Sequence, residues 1–325
     1  MAFFLLEGSQ VSEGNMSSKV QLHTGSSYTQ LDKGALDYSE LPLVESARYK
    51  NIEFNSKAAI YKEFYDSLNK NGFCILDLGL SENLIDQANN DIKNAIDSNT
   101  IKLNSKAYHY NESPRIVEAW KFSNAIMDIS TNDSLLRFLK FAYESDPIPF
   151  STINFVKGTE QPLHSDEFHF GTIPHRFLTG CWIALEDIDP NSGPLSLVVG
   201  SHRLPLFSFE KLGIGIPRNE AEFKKSYTLY EDWVRETVEK EKLEIVTPIL
   251  KKGQCLIWLS NTLHGSYQIR DKSLTRKSLV VHFHYERCKK VFYPSYSNLE
   301  TGKLVKRPLA GLDIRRQIPQ SGEPI

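Results

Sequence analysis

GCWIALEDIDPNSGPLSLVVGSHR, residues 180–203, is the stretch whose reading decides the fold. Two short apolar runs, GCWIAL and LSLVVG, stand on either side of the turn-forming segment DPNSGP. Short runs rich in branched and aromatic residues, punctuated by Pro, Asn, Ser and Gly, read as strands joined by turns. Reading outward, FSTINFVKG (150–158), FLTGCWIALEDI (177–188), LEIVTPIL (243–250), CLIWLS (255–260) and SLVVHFHY (278–285) repeat that texture. The N-terminal side differs. Ile60, Phe64 and Leu68 recur at helical spacing and Gly72 follows as a stop, so an amphipathic helix precedes the strand FCILDLGL at 73–80. Ser81 caps a second helix with Leu84, Ala88, Ile92 and Ala95 as its apolar stripe. A third helix spans about 133–143, after an Asn132 cap and before Pro147. These signals predict a mainly β fold, a jelly-roll core with helices packed outside it.

The organisation follows from composition along the chain. Residues 1–45, rich in Ser, Gly, Thr and Gln without a sustained period, predict a flexible or loosely packed arm. Residues 46–325 form a single expected domain. Within it, 205–243 is long for a connection between strands, and YEDWVRETVEKEKLE (230–244) has a helical pattern, so this insertion reads as a lid. No internal repeat or low-complexity tract is evident.

Bulk properties narrow the class. The 325 residues are 40% hydrophobic and 24% charged, ordinary values for a globular chain with a substantial core. A formal charge of −2 gives no basic field for nucleic acid or an anionic membrane. The opening MAFFLLEGS is too short an apolar run for a signal peptide or a span. Four dispersed cysteines, Cys74, Cys181, Cys255 and Cys288, lack metal-site spacing and fit free thiols. A cytoplasmic protein is the expectation.

His164-Ser165-Asp166, with His264 about a hundred residues on, carries the chemistry. Two imidazoles and one carboxylate occupy one face of an octahedral iron(II) and leave the opposite face open. In an extended segment positions i and i+2 point to the same side, so His164 and Asp166 share a face. His264 must arrive from a strand beside them. HxD alone occurs often by chance; its place at the end of a β segment, with His264 in the turn NTLHG after CLIWLS, gives it weight. His282 and His284 alternate along VVHFHY and compete for the histidine role, but no turn follows them. Arg276 lies twelve residues beyond His264 at the start of a strand, and Arg270 six residues beyond and still in the loop.

Several motifs in order make a more specific pattern. GCWIALEDIDPNSGPLSLVVGSHR, then KKGQCLIWLSNTLHGS (251–266) and TRKSLVVHFHY (275–285), resemble the phytanoyl-CoA dioxygenase (PhyH) family, and GFCILDLGLSENLID (72–86) resembles its usual entry segment. The resemblance covers about 58–290 and is weakest across the insertion. It implies a double-stranded β-helix, Fe(II), and 2-oxoglutarate and O₂ as cosubstrates. By motif, His164, Asp166 and His264 bind the metal and Arg276 holds the distal carboxylate of 2-oxoglutarate. Ser266 donates to that same carboxylate or serves the turn; Trp182 packs against the cosubstrate or is plain core.

What is expected of such a centre is hydroxylation of an unactivated C–H of a small metabolite. Asp166 favours this over halogenation, in which a small residue replaces the carboxylate and chloride takes its place. Desaturation or cyclisation at the same centre, and a metal-containing jelly-roll binding module without catalysis, are the alternatives. A carrier-tethered substrate is a third. For the substrate pocket, the residues singled out are His169, Arg115 and Lys121, and Trp233 in the insertion; His175 follows the HxD segment closely as well. His202, in GSHR, reads as structural.

Overall fold

The structure, a computed structural model, describes residues 28–30, 40–54, 58–100, 115–209, 219–297 and 303–305, with Gly213, Gly215 and Pro217. Most of the N-terminal arm and of the C-terminal tail therefore lies outside the described residues, as does 101–114. Within the arm's expected span, Leu43 and Val44 are buried.

Thirteen strands are described: β1 (Tyr28–Gln30), β2 (Phe73–Asp77), β3 (Arg115–Val117), β4 (Pro147–Phe155), β5 (Gly171–Ile173), β6 (Leu178–Ala184), β7 (Leu195–Val198), β8 (Ile245–Val246), β9 (Gln254–Leu259), β10 (His264–Ser266), β11 (Ser278–Tyr285), β12 (Lys290–Phe292) and β13 (Lys303–Val305). Six form the major sheet in the order β2-β9-β6-β11-β4-β3, all antiparallel. A second sheet runs β10-β7-β8; β12-β5 and β1-β13 form two-stranded pairs. Five α-helices accompany them: α1 (Lys62–Asn71), α2 (Glu82–Asp97), α3 (Asn124–Ser130), α4 (Asp133–Tyr143) and α5 (Glu220–Lys240). The expected jelly-roll architecture with flanking helices is borne out.

The major sheet is covered on both faces, which explains its unbroken apolar runs. Cys181 and Ile183 on β6, Cys255 and Ile257 on β9, and Leu279 and Val281 on β11 face the helices α1–α4. Their alternates Trp182, Ala184, Leu256, Trp258 and Val280 face inward, against Leu195 and Leu197 of the second sheet. On the far side of that sheet Val198 meets Tyr227, Tyr230, Val234 and Val238 of α5. The layers are thus helices, major sheet, interior, second sheet and α5. The site lies in the interior.

Local signals operate as the sequence suggests. The Ser81 and Asn132 side chains accept from the N–H groups of Leu84 and Leu135, capping α2 and α4. Three expected strands are shorter than their apolar runs: β2 ends at Asp77, β7 at Val198, and LEIVTPIL keeps only Ile245–Val246 in β8. Pro248 cannot donate to a ladder, which limits the last of these. All four cysteines are free thiols, three of them buried. Among the described residues no helix is long and apolar enough to cross a membrane.

Gly72 ends α1 with φ +89°, and a Cβ there would lie 2.5 Å from His202 Nδ1 and 2.7 Å from Thr262 Oγ1. Both the backbone and the space require glycine. Gly72→Ala is expected to cost roughly 1–3 kcal/mol in urea unfolding. An unchanged midpoint would show that this junction does not clamp α1 to the strand ends.

Candidate metal centre

The centre is built on one pair of backbone hydrogen bonds. His164 and His264 face each other in an isolated antiparallel bridge, each N–H donating to the other's carbonyl at 2.9 Å. The bridge sets the two imidazoles side by side, with ring centroids 4.4 Å apart. Ser165 is fixed by its N–H, which donates to the Tyr230 hydroxyl at 2.7 Å. The chain then tightens into a 3₁₀ turn, Asp166–Phe168, with the Ser165 hydroxyl accepting from the Glu167 N–H. Extended geometry therefore stops at Ser165, yet Asp166 still points with the histidines. His164, Asp166 and His264 are all buried, and each offers a ligand atom within 4.8 Å of the others.

Protonation is arranged for metal binding. His164 Nδ1 donates to the Pro162 carbonyl and His264 Nδ1 to the Thr262 carbonyl, both at 2.9 Å. A carbonyl only accepts, so each neutral ring carries its lone pair on Nε2. Burial, followed by the charge of His264, drives His164 well below the usual histidine range. Burial likewise lowers His264, against the pull of Asp166. Asp166 balances differently: burial raises its pKa, but the charges of His282 and His264 and the His282 hydrogen bond outweigh that and hold it below the usual carboxylate range. Trp258 Nε1 donates to Asp166 Oδ2 at 2.8 Å. Two neutral nitrogens and one anionic oxygen on one buried wall suit a divalent ion such as iron(II).

The same cavity holds a buried cation. Arg276 is 1% exposed and lines the cavity with the triad, Trp182 and Gln161. Its Nη1 donates to the Gly193 carbonyl at 2.6 Å and the Ser266 hydroxyl at 2.9 Å, while Nε has no partner. Among the described residues no carboxylate pairs with it. Burial, then the charge of Arg115, pushes its pKa down to about 9. A desolvated guanidinium held by neutral groups alone is costly; a carboxylate entering the cavity would relieve it and make charge-assisted bonds. The Trp182 indole N–H is also buried without a partner, and its ring lies 5.7 Å from the guanidinium. These orphaned donors match a dicarboxylate spanning metal and arginine, as 2-oxoglutarate would. Arg270, by contrast, is exposed and lies against Tyr267.

The remaining expected residues scatter. His169 is buried, with its ring 5.7 Å from that of His164. Arg115 is buried and donates to Gln161 Oε1 at 2.9 Å, whose amide nitrogen lies 3.2 Å from His164 Nε2. Lys121 is on the surface, paired with Glu118. Trp233 and His175 line a separate cavity behind the ligand segment, with Ser165 and Glu167. His282 falls outside that group of three and lies beside its carboxylate, with Nε2 3.5 Å from Asp166 Oδ2. His284 faces Phe150, with ring centroids 5.7 Å apart. Sequence reasoning passed over Gln161 and Trp258. The one signal for Gln161 was its place three residues before His164; Trp258 reads as core.

Fold and site together define the class: a double-stranded β-helix with the HxD…H ligand set of Fe(II)/2-oxoglutarate-dependent oxygenases. The family model of phytanoyl-CoA dioxygenase (PhyH) matches residues 68–278, and the chain belongs to that family. Among curated proteins it is 27% identical over 133 residues to peroxisomal phytanoyl-CoA dioxygenase of Rattus norvegicus, and 25% identical over 132 residues to that of Bos taurus. Those matches cover 41% of this chain and 36% of each relative. Two solved structures share the fold. EctD from S. alaskensis, with 2-oxoglutarate and 5-hydroxyectoine, superposes with TM-score 0.59 at 18% identity, covering 90% of this chain and 95% of EctD. The epimerase SnoN from nogalamycin biosynthesis gives 0.55 at 15% identity, covering 82% and 93%.

Buried histidines of lowered pKa bind fewer protons folded than unfolded, so acid favours unfolding. Stability of the metal-free protein is expected to be full above the unfolded histidine pKa of about 6.5 and to decline as pH falls below it. Replacing His164 and His264 together with Gln should flatten that decline in denaturant titrations from pH 7.5 to 5. An equal slope in the double variant would place the acid sensitivity elsewhere.

Proposed function

We propose that this protein is a hydroxylase of small metabolites: 2-oxoglutarate, O₂ and a substrate C–H become succinate, CO₂ and a C–OH. The observation that carries the reading is Arg276, a buried cation that has no acidic partner among the described residues, in the cavity that also holds the triad. Bound iron(II) would supply the centre at which O₂ is activated and 2-oxoglutarate is oxidatively decarboxylated. His164, Asp166 and His264 would hold that metal on one side. Arg276, supported by the Ser266 hydroxyl, would fix the far carboxylate of the cosubstrate and so set its orientation. Trp182 would close the wall beside it.

The chain's other parts fit this division of labour. The Asp166 carboxylate fills the position that a halide would need, which supports oxygen insertion. Segment 205–243 serves as a cover, its Tyr230 stacked on Phe168 at 4.0 Å and bonded to Ser165 within the ligand segment. Residues 46–325 act as one catalytic domain. His169 and Arg115, buried close to the ligand residues, are the substrate-contact candidates that remain in reach. Three buried free thiols suit a reducing compartment such as the cytoplasm.

The test is turnover under ¹⁸O₂ against a panel of free metabolites, following succinate and product mass. A product carrying one ¹⁸O is expected. A product two hydrogens lighter would mean desaturation or ring closure, and activity confined to carrier-bound substrates would move the substrate class. Arg276→Ala should weaken 2-oxoglutarate binding on the order of 100-fold, the value of a charge-assisted pair. Unchanged binding in that variant, with no succinate from wild type, would support a non-catalytic metal-binding module instead.

A further inference from the structure

Three residues stand in one row across the major sheet. In register, Trp258 on β9 lies opposite Gly180 on β6, and Gly180 lies opposite His282 on β11. Directly opposed residues of an antiparallel sheet share a face, and here the face is the interior, where Trp258 and His282 both line the metal cavity. Two large rings thus flank a position that has no side chain.

Both rings meet one atom. Trp258 Nε1 donates to Asp166 Oδ2 at 2.8 Å, and His282 Nε2 lies 3.5 Å from that same oxygen. The other oxygen, Oδ1, lies 3.8 Å from His264 Nε2, the nitrogen that carries the lone pair. Gly180 is not among the residues of positive φ, so its backbone is ordinary strand and space alone requires glycine. A Cβ on it would fall 2.2 Å from Trp258 Cε2 and 2.5 Å from Nε1. The indole therefore fills the space a side chain on Gly180 would need, and any side chain there would push its N–H off the carboxylate.

We propose that Trp258, Gly180 and His282 form a carboxylate cradle that turns Asp166 so that Oδ2 is taken by protein donors and only Oδ1 is offered to the metal. All three are positioning residues. Gly180 acts at one remove, through the space it leaves for the indole. The inference rests on the metal-centre reading. A carboxylate free to turn could bind through both oxygens and occupy a position that cosubstrate or O₂ requires. Pinning Oδ2 keeps the open face of the metal at its full size.

The experiment is anaerobic titration of the whole protein with Co(II), read by calorimetry and by the visible d–d spectrum, alongside unfolding midpoints. Wild type should bind; no binding would overturn the metal reading and this inference with it. Trp258→Phe keeps an aromatic ring at the position and removes the donor. It should weaken Co(II) binding roughly 10–100-fold and change the d–d spectrum as the carboxylate turns. Gly180→Ala should produce the same spectral change, and the double variant should be no weaker than Trp258→Phe, because both break one contact. His282→Leu should weaken binding less, and His282→Gln, which retains an N–H, should restore it. Wild-type affinity and spectrum in Trp258→Phe, or additive losses in the double variant, would overturn the proposal. If Gly180→Ala does not fold, Trp258→Phe and the His282 pair decide the matter.

Discussion

The two hydrogen bonds between His164 and His264 are the constraint on which the rest depends. They join segments about a hundred residues apart, and the Ser266 N–H to the Gln161 carbonyl and the Glu167 N–H to the Ser260 carbonyl bond the same segments on either side. Because both partners of an antiparallel bridge project to the same side, the bridge itself delivers two imidazoles to one point. The neighbouring carbonyls of Pro162 and Thr262 then fix each ring's tautomer. Asp166 needs only the short turn after Ser165 to join them. A metal site made this way has its geometry set by main chain and not by side-chain packing alone.

Around that bridge the electrostatics divide into two halves. One wall carries the carboxylate and the two neutral imidazoles, a place for a dication. The same cavity also carries Arg276, desolvated and bonded, among the described residues, to the Gly193 carbonyl and the Ser266 hydroxyl. Neither half is at ease by itself in a dry interior. A ligand with a metal-chelating end and a carboxylate at the other would satisfy both, which is why fold, site and family membership converge on the same cosubstrate.

Much of this was legible in the sequence, for physical reasons. A sheet buried on both faces writes itself as continuous apolar runs, and CLIWLS and SLVVHFHY became β9 and β11 where they were expected. HxD and the distant histidine could be paired because their chemistry is distinctive. Arg276 could be preferred to Arg270 because a fork fixed at a strand is better preorganised than one in a loop, and it lies two residues before β11. Other features depend on register, which single residues do not reveal. Trp258 looks like core until Gly180 is set opposite it, and His282 looks like a spare ligand until Asp166 is seen to lie beside it. Lys121 shows the opposite failure: its neighbours Arg115 and Trp120 are drawn inward, but the αL residue Glu118 turns the chain and leaves Lys121 at the surface.

The measurement that tests the central claim most directly is an anaerobic titration of the metal-free protein with Fe(II) and then 2-oxoglutarate, watched in the visible range. If triad and arginine form one chelate site, a metal-to-ligand charge-transfer band appears only when both are present, saturates at one equivalent of each, and is absent in His164→Ala. Iron binding without such a band, or a band that persists in His164→Ala, would contradict the account.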